Sequence, residues 1–495
     1  MHLLDTHNPK VKQKKKSSKK AMAMAARKYE VVFISTPGIG NMVPLVEFAQ
    51  RLIDHDRRFS ATILIITMPE RPLVNTYVQS RAASPVTNTV RFLHLPTVED
   101  LPSPDQFQSS IGFVCCLIEK HKPHVKQAIT NLMATESNPN SPVRVAGLFV
   151  DMFCTSMIDV AKELSIPCYL FFASPATFLS FMLHLPVLDI ERLTAELVIP
   201  AFVNPVPLTV LPPFLLKKEG YASFLHNARR YAETKGIIVN TYVELESHAV
   251  NSVSNSQLPP VYPVGPILDL AGPAQWHPEG AHHESIMRWL DDQPSSSVVF
   301  LCFGSMGSLS GSQVREIAFG LERARLRFLW ALREKPKAYL HLPSEYANVG
   351  EVLPDGFLER TAGFGLVCGW VPQVTILAHK AIGGFVSHCG WNSILESLWH
   401  GVPIATWPIY AEQQMNAFEM VKELGLAVEI SLDYKEGSDL VRAEEVERGI
   451  KRLMDGEDEV RRKVKEMSTK SRMAVMENGS SYRSLGALIE ELVLN

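Results

Sequence analysis

The chain has 495 residues, 46% of them apolar and 20% charged, with a net charge of −3. That length exceeds one ordinary core and predicts a globular protein of two or three domains. Seven lysines crowd residues 10–20, so the first twenty residues carry +6 and the remainder about −9, which leaves no cationic body to bind nucleic acid. The run KVKQKKKSSKK is read as part of a disordered basic tail, residues 1–28, rather than a tether to nucleic acid or an anionic membrane. It lacks the apolar core of a secretory signal, and no run of about 18 apolar residues follows to span a membrane. The seven cysteines are odd in number and show no CxxC or Cys/His metal spacing. This is the usage of a reducing compartment, so the expectation is a cytoplasmic protein with no metal site.

In chain order, residues 31–35 (VVFIS) form an apolar β-rich run that breaks at STPGIG, and an amphipathic helix follows. Further strands are predicted at 61–66, 90–95, 145–150, 168–172 and 236–240. Strands alternating with helices imply a doubly wound parallel sheet, whose ligands sit beyond the carboxyl ends of its strands. Asn41 and Asp151 both lie at such ends. Between them and the next domain, Phe178 and Met182 belong to an apolar patch that could line a pocket, as could Phe107 and Phe113; plain core packing is the alternative. Residues 258–284 are rich in proline and glycine and read as a linker. The alternation then restarts: a strand at 297–303, a Gly/Ser loop, and short strands near 328, 366, 384 and 404. The expected organisation is a first domain over 29–257, a second domain over 285–477, and a terminal helix over 478–495 that packs back on the first. The fold class is α/β, two Rossmann-like domains with parallel sheets facing across a cleft.

Residues 370–413 (WVPQVTILAHKAIGGFVSHCGWNSILESLWHGVPIATWPIYAEQ) carry the chemistry. A strand runs into His388, Gly390, Trp391, Asn392 and Ser393, and a helix starts there. Unpaired N–H groups and the positive end of the dipole make such a start an anion site, and Gly390 allows close approach. Ser393-x-x-Glu396 also fits an ordinary capping box, so the two readings stand side by side. Trp370 offers a stacking face, Gln373 an amide, and Glu412 and Gln413 hydroxyl-binding groups. Together these suggest a site for a nucleotide diphosphate and a sugar.

This box resembles the signature of plant family-1 UDP-dependent glycosyltransferases at every one of its positions. The resemblance extends to STPGIG at 35–40, FVDMFCTSMIDVA at 149–161, GIIVNTYVELE at 236–246 and FGSMGSL at 303–309. It implies a GT-B fold, with the acceptor bound by the first domain and the donor by the second, and inverting, metal-free transfer from a UDP-sugar co-substrate, without a cofactor, by a monomer acting on small hydrophobic phenolic or terpenoid acceptors. By the resemblance, Trp370 stacks on uracil and Gln373 sits at the nucleoside. Glu396 takes the ribose hydroxyls, and Ser305, His388, Asn392 and Ser393 hold the diphosphate. Trp391, Glu412 and Gln413 meet the sugar, with Val371, Gly390 and Tyr410 in the same site. Gln413 points to UDP-glucose.

One position departs from that family. Its first glycine loop ends in a histidine, the general base, which an aspartate orients. Asp151 matches the aspartate, but the histidine position holds Asn41, which cannot carry a proton away at neutral pH. A positioned base is worth about 10²–10⁴ in rate. Three readings follow: an acidic acceptor that needs little help, Asp151 or a water as base, or a weak nucleotide-sugar binder. A nicotinamide-dependent oxidoreductase is the remaining alternative, although GxGxxG is incomplete, with Val43 at its third position.

Overall fold

The computed structural model describes residues 28–83, 89–136, 143–188, 195–254, 258–272, 283–338, 340–435, 437, 440–456 and 458–494. The lysine run and most of the proposed tail lie outside the described residues.

The first sheet contains β1 (Lys28–Ile34), β2 (Phe59–Ile65), β3 (Val90–His94), β4 (Val143–Asp151), β5 (Cys168–Phe172), β6 (Gly236–Val239) and β7 (Val261–Pro263). All its pairs are parallel, in the order β3-β2-β1-β4-β5-β6-β7. The second sheet contains β8 (Val298–Cys302), β9 (Arg327–Ala331), β10 (Gly365–Cys368), β11 (Ile382–Ser387), β12 (Ile404–Thr406) and β13 (Ala427–Glu429). It is also parallel throughout, in the order β10-β9-β8-β11-β12-β13. Helices cover both faces, so the inner strands are apolar on both sides and read as continuous runs such as VVFI and VVFLC. In each sheet the strand order reverses beside the first strand, between β1 and β4 and between β8 and β11. A crevice opens at such a switch point, beyond the strand ends.

The segment expected as a linker begins with a strand. Residues Val261–Pro263 pair in parallel with β6 at the sheet edge. Val and Tyr favour extended backbone, and at an edge a proline costs no ladder bond. Residues 273–282 of that segment lie outside the described residues.

The named helices are α1 (Ile39–His55), α2 (Ala176–His184), α3 (Trp391–His400), α4 (Gln413–Phe418) and α5 (Ser480–Leu494). α5 belongs by sequence to the second half but packs on the first sheet. Its Leu485, Leu488, Ile489 and Leu492 are buried in one cluster with Leu45, Phe48 and Phe171. Glu491 accepts hydrogen bonds from the Tyr169 and Tyr262 hydroxyls, and Ser481 donates to Gly265 O.

The domains meet through polar pairs. Trp391 Nε1 donates to Asn240 O at 2.7 Å and Asn392 Nδ2 to Gly40 O at 3.0 Å. Thr177 Oγ1 donates to Glu419 at 2.6 Å, and Ser174 Oγ to Glu412 at 3.1 Å. Glu246 caps the start of α2 through the N–H groups of Ala176 and Thr177. Burial raises the pKa of both Glu246 and Glu419; the charge of Glu246 adds to the rise at Glu419, and a hydrogen bond with Glu419 opposes it at Glu246.

Removing side-chain volume from α5 opens a cavity in the first domain. Leu488→Ala is expected to lower the unfolding free energy by about 2–5 kcal/mol. Urea denaturation followed by tryptophan fluorescence reads it; a loss below about 1 kcal/mol would show that α5 adds little to that core.

Candidate active site

The first wall of the site follows β1. Gly38 is the N-cap of α1 and no side chain caps the helix, so Asn41 stands in an uncapped first turn. The Asn41 side chain lines the cleft and has no hydrogen-bond partner among the described residues. Asp151, at the end of β4, is only 2% exposed. Its oxygens accept from Thr36 N–H at 2.5 Å, Thr36 Oγ1 at 2.9 Å, Phe153 N–H at 2.9 Å and Ser35 Oγ at 3.2 Å. It ties the loop after β1 to the turn after β4 and does not line the cavity. The GIG loop is likewise engaged with protein, since Gly40 O accepts from Asn392.

The second wall follows β8 and β11. Burial holds the His388 imidazole down near a pKa of about 4, so it is neutral at physiological pH. Its Nε2 is wedged between two glycines: a Cβ on either Gly304 or Gly390 would come within 2.6 Å of it. Gly304 also has φ +75°, and Cys389 and Ala411 adopt positive φ at 61° and 57°. For non-glycine residues such φ costs free energy and is held by surrounding contacts. Gly390 is the N-cap of α3, so Ser393 sits inside the first turn and forms no capping box. Instead Gln373 Nε2 donates to Ser393 Oγ at 2.8 Å and to Glu396 Oε2 at 2.6 Å. Burial raises the Glu396 carboxyl to about 7; the Gln373 bond opposes that, and the charge of Asp269 adds to it. Trp370 is held by its N–H to Glu345 Oε1 at 2.8 Å. Gln413 Oε1 accepts from the N–H groups of Ile409 and Tyr410 at 2.9 and 3.0 Å. The amide is thereby oriented, with its NH₂ as the end able to donate to a ligand.

Both walls enclose one cavity of about 520 Å³. It is lined by Asn41 and by each donor-side residue singled out from the sequence: Ser305, Trp370, Val371, Gln373, His388, Gly390, Trp391, Asn392, Ser393, Glu396, Tyr410, Glu412 and Gln413. The indole N–H of Trp391 is already committed to Asn240 O.

The family model for UDP-glucoronosyl and UDP-glucosyl transferase matches residues 229–461. UDP-glycosyltransferase 43 of Pueraria montana var. lobata is 62% identical over 94% of this chain and 99% of its own length. UDP-glucose flavonoid 3-O-glucosyltransferase 6 of Fragaria ananassa is 49% identical over 94% and 98%. The crystal structure of Medicago truncatula UGT71G1 complexed with UDP-glucose superimposes with a TM-score of 0.85, at 45% identity, over 94% of this chain and 98% of that one. The chain belongs to the UDP-glycosyltransferase family. It is a hexosyltransferase of GT-B fold with a UDP-sugar as co-substrate.

Of the apolar residues that the sequence offered as a pocket lining, one reaches the cavity. Phe178 lines the cavity, but Phe107, Phe113 and Met182 do not. Met182 lies one turn further along α2, away from the strand end, and is fully buried. Phe113 is 3% exposed and packs edge-on against Phe107, with ring centroids 5.6 Å apart. The aromatic wall is instead Phe153, Phe214 and Phe224, with Val114 and Met152. Phe214 stacks on Phe224 at 3.5 Å, and Phe153 meets Phe224 at 90°. Arg71 and Asp269 also line the cavity and carried no local motif. Only long-range contacts bring them there.

Two tests follow from this geometry. Gly390→Ala should cost about 1–3 kcal/mol of stability through overpacking against His388, read by thermal unfolding; unchanged stability and unchanged UDP affinity would remove the wedge as a constraint. Because the Glu396 carboxyl is raised above its unfolded value, its effect on stability is most favourable at pH below about 4.5 and is lost as pH rises through about 7. Glu396→Gln should therefore gain in melting temperature relative to the parent between pH 5 and pH 8, whereas a pH-independent difference would contradict the burial effect.

Proposed function

We propose that this enzyme transfers glucose from UDP-glucose to a phenolic hydroxyl of a flavonoid-class acceptor, with inversion, as a cytoplasmic monomer. The observation that carries the acceptor half is what the first domain lacks at the cavity. Among the described residues 28–239, no residue lining it is an Asp, Glu, His or Lys. The wall is Gly38, Asn41, Val114, Phe153, Phe178, Phe214 and Phe224, a surface for a flat apolar molecule. Flavonoid acceptors also stand in the names of relatives at 45–49% identity.

With no base on that wall, the acceptor must bring its own acidity. A phenol of pKa ~10 is about 0.1% ionised at pH 7, whereas an aliphatic alcohol is essentially not ionised. The uncapped start of α1 is the positive end of a 17-residue helix. Together with the Asn41 NH₂ it favours the phenolate over the phenol, in the manner of an oxyanion site. The phenol gives its proton to solvent water, the phenolate oxygen attacks the anomeric carbon, the bond from that carbon to the β-phosphate oxygen breaks, and UDP leaves with the electron pair. Glu412 and Gln413 orient the sugar. Asp151 acts at a distance by fixing the loop that presents Asn41.

The test is a panel of phenols of graded pKa, plus an aliphatic alcohol of similar shape, with UDP-glucose and UDP release as readout. The parent rate should rise as acceptor pKa falls, and its pH profile should follow the acceptor. Asn41→His should speed the alcohol about 10-fold or more and add an inflection near the ordinary histidine pKa of ~6.5. Equal gains for every acceptor, or a parent profile with one fixed inflection whatever the acceptor, would rule the acidity mechanism out.

A further inference from the structure

Arg71 precedes the helix Pro72–Ala83 in the acceptor-side domain, yet its side chain crosses the cleft. Its Nη1 lies 2.5 Å from Met306 Sδ, on the loop that follows β8. A thioether is a weak acceptor and neutralises nothing. Among the described residues no carboxylate forms an ion pair with Arg71; the Tyr410 hydroxyl and Glu70 act on it only through their fields. Burial draws its pKa below the ordinary guanidinium value. Holding a partly desolvated cation without a paired counter-ion is costly, and among the described residues no carboxylate is paired with it.

The surroundings say which anion completes it. Arg71 shares the cavity with Ser305, Met306, His388 and Tyr410, all from the donor-side domain. His388 is neutral, and the cation that the donor-side wall brings to the cavity, Arg333, already donates to the backbone carbonyls of Pro343 and Ser344. The residues that would hold the acceptor, Phe153, Phe214 and Phe224, carry no charge that could use a guanidinium.

We infer that Arg71 binds the β-phosphate of the UDP-sugar, supplying from the acceptor-side domain a cation beside Ser305, His388 and Tyr410. The inference rests on reading the cleft as a UDP-sugar site. A guanidinium can take two phosphate oxygens at once. Negative charge accumulates on the β-phosphate as the anomeric carbon–oxygen bond breaks, so the contact strengthens towards the transition state. Arg71 is then a catalytic residue as well as a clamp between the domains.

The experiment compares UDP with uridine by calorimetry on the full-length protein, for the parent, Arg71→Gln and Arg71→Lys. Parent binding of UDP no tighter than uridine would overturn the diphosphate reading of the cleft itself. With that reading intact, Arg71→Gln should weaken UDP about 10- to 100-fold, leave uridine within about 2-fold, and flatten the salt dependence of UDP binding. The kcat/KM for UDP-glucose should fall by at least as much, and Arg71→Lys should recover part of both. Unchanged UDP affinity, or equal losses for UDP and uridine in both variants, would overturn the assignment. So would a rise confined to the KM of carboxylate-bearing acceptors, which would make Arg71 an acceptor anchor. Should Arg71→Gln fail to hold uridine because it misfolds, Arg71→Lys decides by the same comparison.

Discussion

Two hydrogen bonds at the start of α3 organise the molecule. Trp391 reaches back to Asn240 O, and Asn392 to Gly40 O. The turn that presents N–H groups to an anion is thus also the seam between the domains. Any group seated there touches both halves at once. The second bond ends on Gly40, next to Asn41, so the donor-side helix start bears directly on the acceptor-side loop. Each sheet contributes the crevice at its own switch point, and the seam brings the two crevices into register.

Much of this was legible in the chain. The parallel sheets follow from apolar runs alternating with amphipathic helices, and the donor wall from one contiguous box in which each polar group lies just past a strand. Local order suffices there, because 370–413 folds as consecutive strand–turn–helix units. What could not be read depended on distance. Asp151 looked like half of a catalytic pair, yet its oxygens are filled by Ser35, Thr36 and Phe153. Phe178 and Met182 read as one apolar group and are equally buried, yet only Phe178, at the strand end, lines the cavity. Phe214 and Phe224 lie in an irregular stretch whose path no periodicity foretells. Val261–Pro263 reads as a loop because prolines flank it, and the exposed edge of β6 makes it a strand.

The electrostatics of the cleft share one cause. Groups that face it lose water before any ligand replaces it: Glu396, Glu412 and Tyr410 are pushed towards their neutral forms, and His388 likewise. Apart from Arg333, the donor wall is thus largely a surface of dipoles aimed at a ligand that brings its own charge. Preorganised dipoles of this kind need little rearrangement when charge shifts between bound groups.

The placement of α5 has a consequence for how the molecule is made. Residues 28–263 contain every strand of the first sheet, but its core lacks Leu485, Leu488, Ile489 and Leu492 until the far end of the chain arrives. Domains ordinarily complete themselves in the order in which they leave the ribosome. Here the order is inverted: the second domain can close around its own sheet first, while the earlier-made one waits, its Tyr262 and Gly265 partners still to be translated.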